Sequence, residues 1–131
     1  MKRFLLETSV IVEYLRGNKK IIDRIDRLEG ELTSSYICMA ELYEGVARFK
    51  TQNHIEEAVL QFFSGMSEIY AIDEMIAKQF GFIRAILKKE GQIIEDIDIF
   101  IGATCTAYNL SLVTLNQKHF SRIKNIQLLP L

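Results

Sequence analysis

The chain has 131 residues, 49% of them hydrophobic and 25% charged, which fits one soluble globular domain over residues 1–131. No apolar run approaches the roughly 20 residues needed to span a bilayer, and Glu7 interrupts the opening Phe4-Leu5-Leu6 too early for a signal peptide. The formal net charge of −1 does not advertise a nucleic-acid-binding surface. Cys38 and Cys105 stand in apolar helical contexts without metal-ligand spacing, so they read as buried thiols in a reducing, cytoplasmic setting.

Arg3 to Leu6 reads as a short buried strand, broken by Glu7-Thr8-Ser9. Thr8 or Ser9 can cap the helix that follows, with Val10, Ile11, Tyr14 and Leu15 facing inward and Gly17 ending it. Ile21, Ile22, Ile25 and Leu28 predict an amphipathic helix closed by Glu29-Gly30. Glu31 to Tyr36 reads as a second strand, and a helix from about Ile37 to Phe49 carries Glu41 about one turn in. Gly45, one turn later, is expected to let another group approach closely. A polar turn over Lys50 to Asn53 precedes an apolar helix face made by Ile55, Ala58, Val59, Phe62, Phe63 and Met66. Glu68 to Ile72 is a third strand. Asp73 then caps a long helix whose core positions are Ile76, Phe80, Ile83 and Leu87; it ends at Lys88-Lys89 and Gly91.

The segment Ile94 to Thr104 has two aspartates in an otherwise almost wholly apolar run. Asp96 is expected to cap a buried helix reaching Tyr108-Asn109, and Asp98 falls in its first turn, near the positive end of the helix dipole. One cap accounts for one aspartate and leaves the second without a structural reason. Ser111 to Leu115 is a fourth strand, Asn116 to Phe120 a short turn or helix, and Ile126 to Leu129 a weaker last strand. Strands alternating with helices predict an α/β fold, a parallel sheet of four to five strands with helices on both faces. Ligands in such sheets bind beyond the carboxyl ends of the strands, where strand order reverses.

Glu7, Glu41 and Asp98 each interrupt a strongly apolar neighbourhood. Buried carboxylates are costly unless paired or bound to metal, and converging ones repel. A hard divalent cation such as Mg²⁺ relieves that repulsion and supports phosphodiester hydrolysis. Setting aside Glu7, Glu41, Asp96 and Asp98 from the 17 acids leaves 13 against 16 Lys and Arg, a mildly basic remainder compatible with a polyanion. Competing chemistries have weaker support. The chain has no Gly-rich phosphate loop, His54 and His119 are far apart, and His119 reads as a surface residue. Thr8, Ser9 and Thr114 read as caps or as hydrogen-bonding partners of the acids.

Four segments, Phe4 to Ile11, Met39 to Gly45, Glu95 to Ala103 and Leu112 to Phe120, together resemble the four motifs of PIN-domain ribonucleases, and most closely the VapC-type toxins of toxin–antitoxin pairs. The resemblance covers essentially the whole chain. It implies a PIN-like α/β/α sandwich with strand order 3-2-1-4-5. It also implies a Mg²⁺- or Mn²⁺-dependent endoribonuclease in which Glu7, Glu41 and Asp98 hold metal, Asn116 positions metal or water, and Asp96 assists or ligates. An RNA substrate, a cognate VapB-type antitoxin and a homodimer are the implied partners. The family carries Asp where this chain has Glu7, and the longer side chain is expected to displace the metal and attenuate cleavage, so that Glu7→Asp restores it. The alternatives are an attenuated PIN domain acting as an RNA- or protein-binding module, and a DNA-directed or flap-type nuclease, which usually carries insertions that this chain lacks.

Overall fold

A computed structural model of the chain describes residues 1–48 and 52–131, with only the backbone of residues 52 and 53. Among the described residues the order is β1 (Arg3–Leu6), α1 (Thr8–Leu15), α2 (Lys19–Asp26), β2 (Glu31–Ser35), α3 (Tyr36–Ala47), α4 (Gln52–Ser64), β3 (Glu68–Tyr70), α5 (Glu74–Lys89), α6 (Asp96–Tyr108), β4 (Ser111–Val113), α7 (Gln117–Phe120) and β5 (Gln127–Leu129). The strands form one parallel sheet in the order β3-β2-β1-β4-β5. Crossovers between parallel strands are right-handed. The chain moves one way from β1 to β3 and the other way from β3 through β4 to β5. Right-handedness therefore puts α1 to α4 on one face and α5 to α7 on the other.

β1 occupies the centre because its Phe4, Leu5 and Leu6 are buried from both faces. It pairs with β2 on one side, Leu5 opposite Thr33, and with β4 on the other, Leu6 opposite Val113. β2 reads Glu-Leu-Thr-Ser-Ser, a polar sequence for an interior strand. Its buried hydroxyls are satisfied by β1: Thr33 Oγ1 donates to the Phe4 carbonyl at 2.7 Å and Ser34 Oγ to the Leu6 carbonyl at 2.8 Å. The core continues through Val10, Ile11, Ile76, Ile99, Ile101, Leu112 and Phe120.

Several boundaries and caps differ from expectation. The residue capping α1 is Glu7, with α1 starting at Thr8, because the Thr8 and Ser9 hydroxyls donate to acids and cap no amide of the helix's own first turn. The cap of α6 is Glu95; Asp96 is already the first helical residue, since its carboxylate is drawn to Arg84 Nε on α5 at 3.0 Å. β2 ends at Ser35, whose side chain caps α3. β3, β4 and β5 are three residues each, shorter than expected. Of the expected turn over 50–53, residues 50 and 51 lie outside the described residues, as does Phe49, while residues 52 and 53 belong to α4. Asp73 caps α5 as expected, accepting from the Ile76 amide at 2.9 Å.

Close approach to a glycine occurs at Gly102 instead of Gly45. A Cβ at Gly102 would lie 2.5 Å from Ile123 Cδ1, so the missing side chain lets the α7–β5 connection pack onto α6. A Cβ at Gly45 would meet nothing within 4 Å among the described residues. Gly30 is constrained more severely: its φ is +153°, and a Cβ would stand 2.3 Å from the Lys2 carbonyl oxygen, which accepts the Glu31 amide where β1 and β2 begin to pair. Backbone cannot rotate away as a side-chain tip can. Gly30→Ala is therefore expected to cost about 2–3 kcal/mol in urea unfolding. Gly45→Ala, in open space on a helix, should be neutral or stabilising by up to about 1 kcal/mol.

Candidate active site

Glu7 emerges from β1 at the point where strand order reverses, and its amide donates to the Val113 carbonyl of β4 at 3.0 Å. Its residue is only 5% exposed, yet it is well provided with donors. Ser9 Oγ and Thr114 Oγ1 both donate to Glu7 Oε1, the latter at 2.6 Å. Each hydroxyl in turn accepts a backbone amide from the segment leaving β4: Leu115 N–H reaches Ser9 Oγ and Asn116 N–H reaches Thr114 Oγ1, both at 2.9 Å. A hydroxyl donates once and accepts through its lone pairs. These four bonds thus fasten Glu7 and the exit of β4 to one another.

Glu41 lies on α3, partly buried, where Thr8 Oγ1 donates to its Oε1 at 2.6 Å. Burial pushes its carboxyl above the ordinary range. The Thr8 hydrogen bond opposes the shift, and the charges of Glu7, Asp98 and Glu44 add to it. Glu7 and Asp98 are therefore electrostatic neighbours of Glu41, although the three come from different parts of the chain. Asp98 is the third residue of α6, where the dipole of the helix favours its charge. Its side chain is 16% exposed, and Oδ2 lies 2.8 Å from His119 Nδ1 on α7.

One oxygen of each of the three carboxylates is thus held by a protein donor. The other receives no hydrogen bond among the described residues, where no buried side-chain polar atom lacks a partner. The donors on offer are hard carboxylate oxygens, which suit Mg²⁺ or Mn²⁺. The nearby Cys38 thiol offers no competing ligand, because burial pushes it up to about 12. Cys105 is likewise buried, raised by desolvation and unbridged. Among the described residues no three Asp, Glu, His or Cys side chains stand close enough to enclose an ion by themselves. Mg²⁺ sites of one or two carboxylates completed by waters and substrate oxygens do not require such a group.

Asn116 caps α7 from an exposed position on the segment leaving β4, and its side chain makes no capping bond. Asp96 turns away toward solvent and Arg84, its side chain 59% exposed. His119 lies at the surface as expected, its side chain 41% exposed, and the sequence reading missed its contact: α7 packs on the first turn of α6 and brings the imidazole onto Asp98. Its position three residues after Asn116 was the available signal, but only the packing of α7 on α6 gives that spacing meaning.

The PIN domain family model matches residues 4–126. Ribonuclease VapC1 of Methanocaldococcus jannaschii is 36% identical over 126 residues, covering 96% of this chain and 85% of that protein. The chain also superposes on VapBC2 from Rickettsia felis bound to a DNA fragment from its promoter, with a TM-score of 0.89, 27% identity and 97% of each chain covered. For DNA-bound VapBC from Salmonella typhimurium the TM-score is 0.90, with 25% identity and 98% of each chain covered. With its sheet order, its acids at the reversal point and this match over nearly its full length, the chain belongs to the PIN-domain family.

Proposed function

We propose that this chain is a divalent-metal-dependent endoribonuclease, the toxin of a VapBC-type toxin–antitoxin pair. The observation that carries this reading is the electrostatic convergence of Glu7, Glu41 and Asp98 at the carboxyl edge of the sheet, each acid held by one oxygen and free at the other. Relatives named as ribonucleases and structural neighbours solved as VapBC complexes support RNA as substrate and a VapB-type protein as the antitoxin. Among the described residues no helix is long and apolar enough to cross a membrane.

In this reading Glu7, Glu41 and Asp98 hold Mg²⁺ or Mn²⁺, and the Asn116 side chain orients water or the phosphate at the edge of the groove. The bound cation supplies charge neutralisation at the scissile phosphate and eases deprotonation of the attacking water. Asp96 is assigned to its ion pair with Arg84 instead of to the metal. A homodimer is supported by an exposed apolar stripe on α5, Met75, Phe82 and Ile86, which the core leaves uncovered.

Glu7 was the feature that favoured the attenuated, binding-only alternative. Its Oε1 is fitted to the Ser9 and Thr114 hydroxyls, an arrangement that favours a site built around glutamate.

Purified protein is expected to cleave RNA with Mg²⁺ or Mn²⁺ and not in EDTA. Asp98→Asn should fall to the EDTA background while melting, metal-free, at or above the wild-type temperature. Equal cleavage by the mutant in a gel assay would remove Asp98 from the chemistry.

Glu7→Asp withdraws the carboxylate by about 1–1.5 Å from its two hydroxyl donors. A misplacement of that order can cost about a hundredfold in rate, so cleavage and Mn²⁺ affinity should both drop. A gain in cleavage would restore the attenuated reading.

The raised carboxyl of Glu41 sets a pH dependence. The folded chain holds this proton more tightly than the unfolded chain does. Stability of the metal-free protein therefore falls as pH rises from the ordinary glutamate value near 4.5 through the higher folded value. In EDTA, Glu41→Gln is expected to raise Tm by a few degrees at pH 7 and to have little effect at pH 4, measured by circular dichroism.

A further inference from the structure

His119 is the third residue of α7, and its amide closes that short helix on the Asn116 carbonyl at 3.1 Å. The side chain makes one hydrogen bond among the described residues, from Nδ1 to Asp98 Oδ2 at 2.8 Å. The side chain is 41% exposed, and His119 lines a hollow of about 540 Å³ together with Asn116, Gln117 and Lys118. A contact this accessible adds little to folding stability, so stability alone gives no reason for it.

The reason lies in what a monodentate carboxylate ligand requires. Rotation about the bond to its carboxyl carbon, Cβ–Cγ in Asp and Cγ–Cδ in Glu, swings both oxygens, so a donor fixed on one oxygen aims the other. Glu7 is held in this way by Ser9 and Thr114, and Glu41 by Thr8. Asp98 receives no hydroxyl among the described residues; His119 is its donor. An ionised carboxylate can only accept, so Nδ1 carries the proton in this contact.

We propose that His119 is the positioning residue of Asp98: its Nδ1–H fixes Oδ2 and leaves Oδ1 aimed at the divalent cation. The proposal rests on the metal-dependent reading above and on this hydrogen bond, with no role for the charge of the ring.

The test is Mn²⁺ titration calorimetry on the intact, metal-stripped chain, with folding of every variant checked by circular dichroism. His119→Phe removes the donor and should weaken Mn²⁺ binding by about tenfold or more. His119→Asn keeps an N–H donor attached to Cγ, as Nδ1 is, and should bind within about threefold of wild type by the same logic. His119→Gln carries its amide one bond too far and should lose affinity as His119→Phe does, which keeps the test alive if the aromatic variant fails to fold. Wild-type affinity in both His119→Phe and His119→Gln, or an equal loss in His119→Asn, would overturn the positioning role alone. Absence of Mn²⁺ binding by wild type, or binding untouched by Asp98→Asn, would overturn the metal-dependent reading and the role with it.

Discussion

The pairing of β1 with β4 is the contact on which the site depends. β2 and β3 build outward from one side of β1, and the chain must return to the other side before Glu7 acquires its second donor, Thr114. The return brings the Thr114 hydroxyl to Glu7 Oε1, the Asn116 amide to Thr114 Oγ1 and α7 onto the first turn of α6. The sheet reversal is thus the device by which residues from the two ends of the sequence share one small volume.

Within that volume the problem is charge. Burial raises the proton affinity of Glu41 and the charges of Glu7 and Asp98 add to the rise, and no lysine or arginine side chain is bonded to any of the three among the described residues. Neutral hydroxyls and one imidazole hold the carboxylates in place. A cationic partner would have stabilised the empty cluster further and would also have competed with any metal. Neutral donors fix geometry and leave the negative potential available. Arg84, the nearest thing to a structural cation on α5, is occupied by Asp96 instead, outside the cluster.

The alternation of strands and helices and the principal acids were legible because they rest on local patterns: short apolar strands, helix periodicity, and carboxylates standing where apolar residues belong; the sheet order came only from the resemblance to PIN-domain ribonucleases. Glu7 and Asp98 were conspicuous on that ground alone. What the sequence hid were relations that depend on packing between elements. Asp96 looks like a cap until Arg84 on the neighbouring helix is seen to take its carboxylate. Gly45 looks like a close-approach glycine, but the close approach is at Gly102, where the buried Ile123 arrives from a distant connection. His119 gives no sign of its bond to Asp98, because a four-residue helix has no periodicity from which to read what a side chain meets. β2 was read as a strand from the sequence, but the way its buried hydroxyls are satisfied by the β1 carbonyls was not visible there.

Thr114 follows Glu7 by 107 residues, and His119 follows Asp98 by 21. Contacts of such long range form only after the intervening chain exists and has closed its loop. A chain that has made β1, α1 and α3 already carries Glu7 with its Ser9 donor and Glu41 with its Thr8 donor, but lacks Asp98, the hydroxyl of Thr114 and the imidazole of His119. The set of three held acids is therefore complete only when the last sixth of the sequence has joined the sheet.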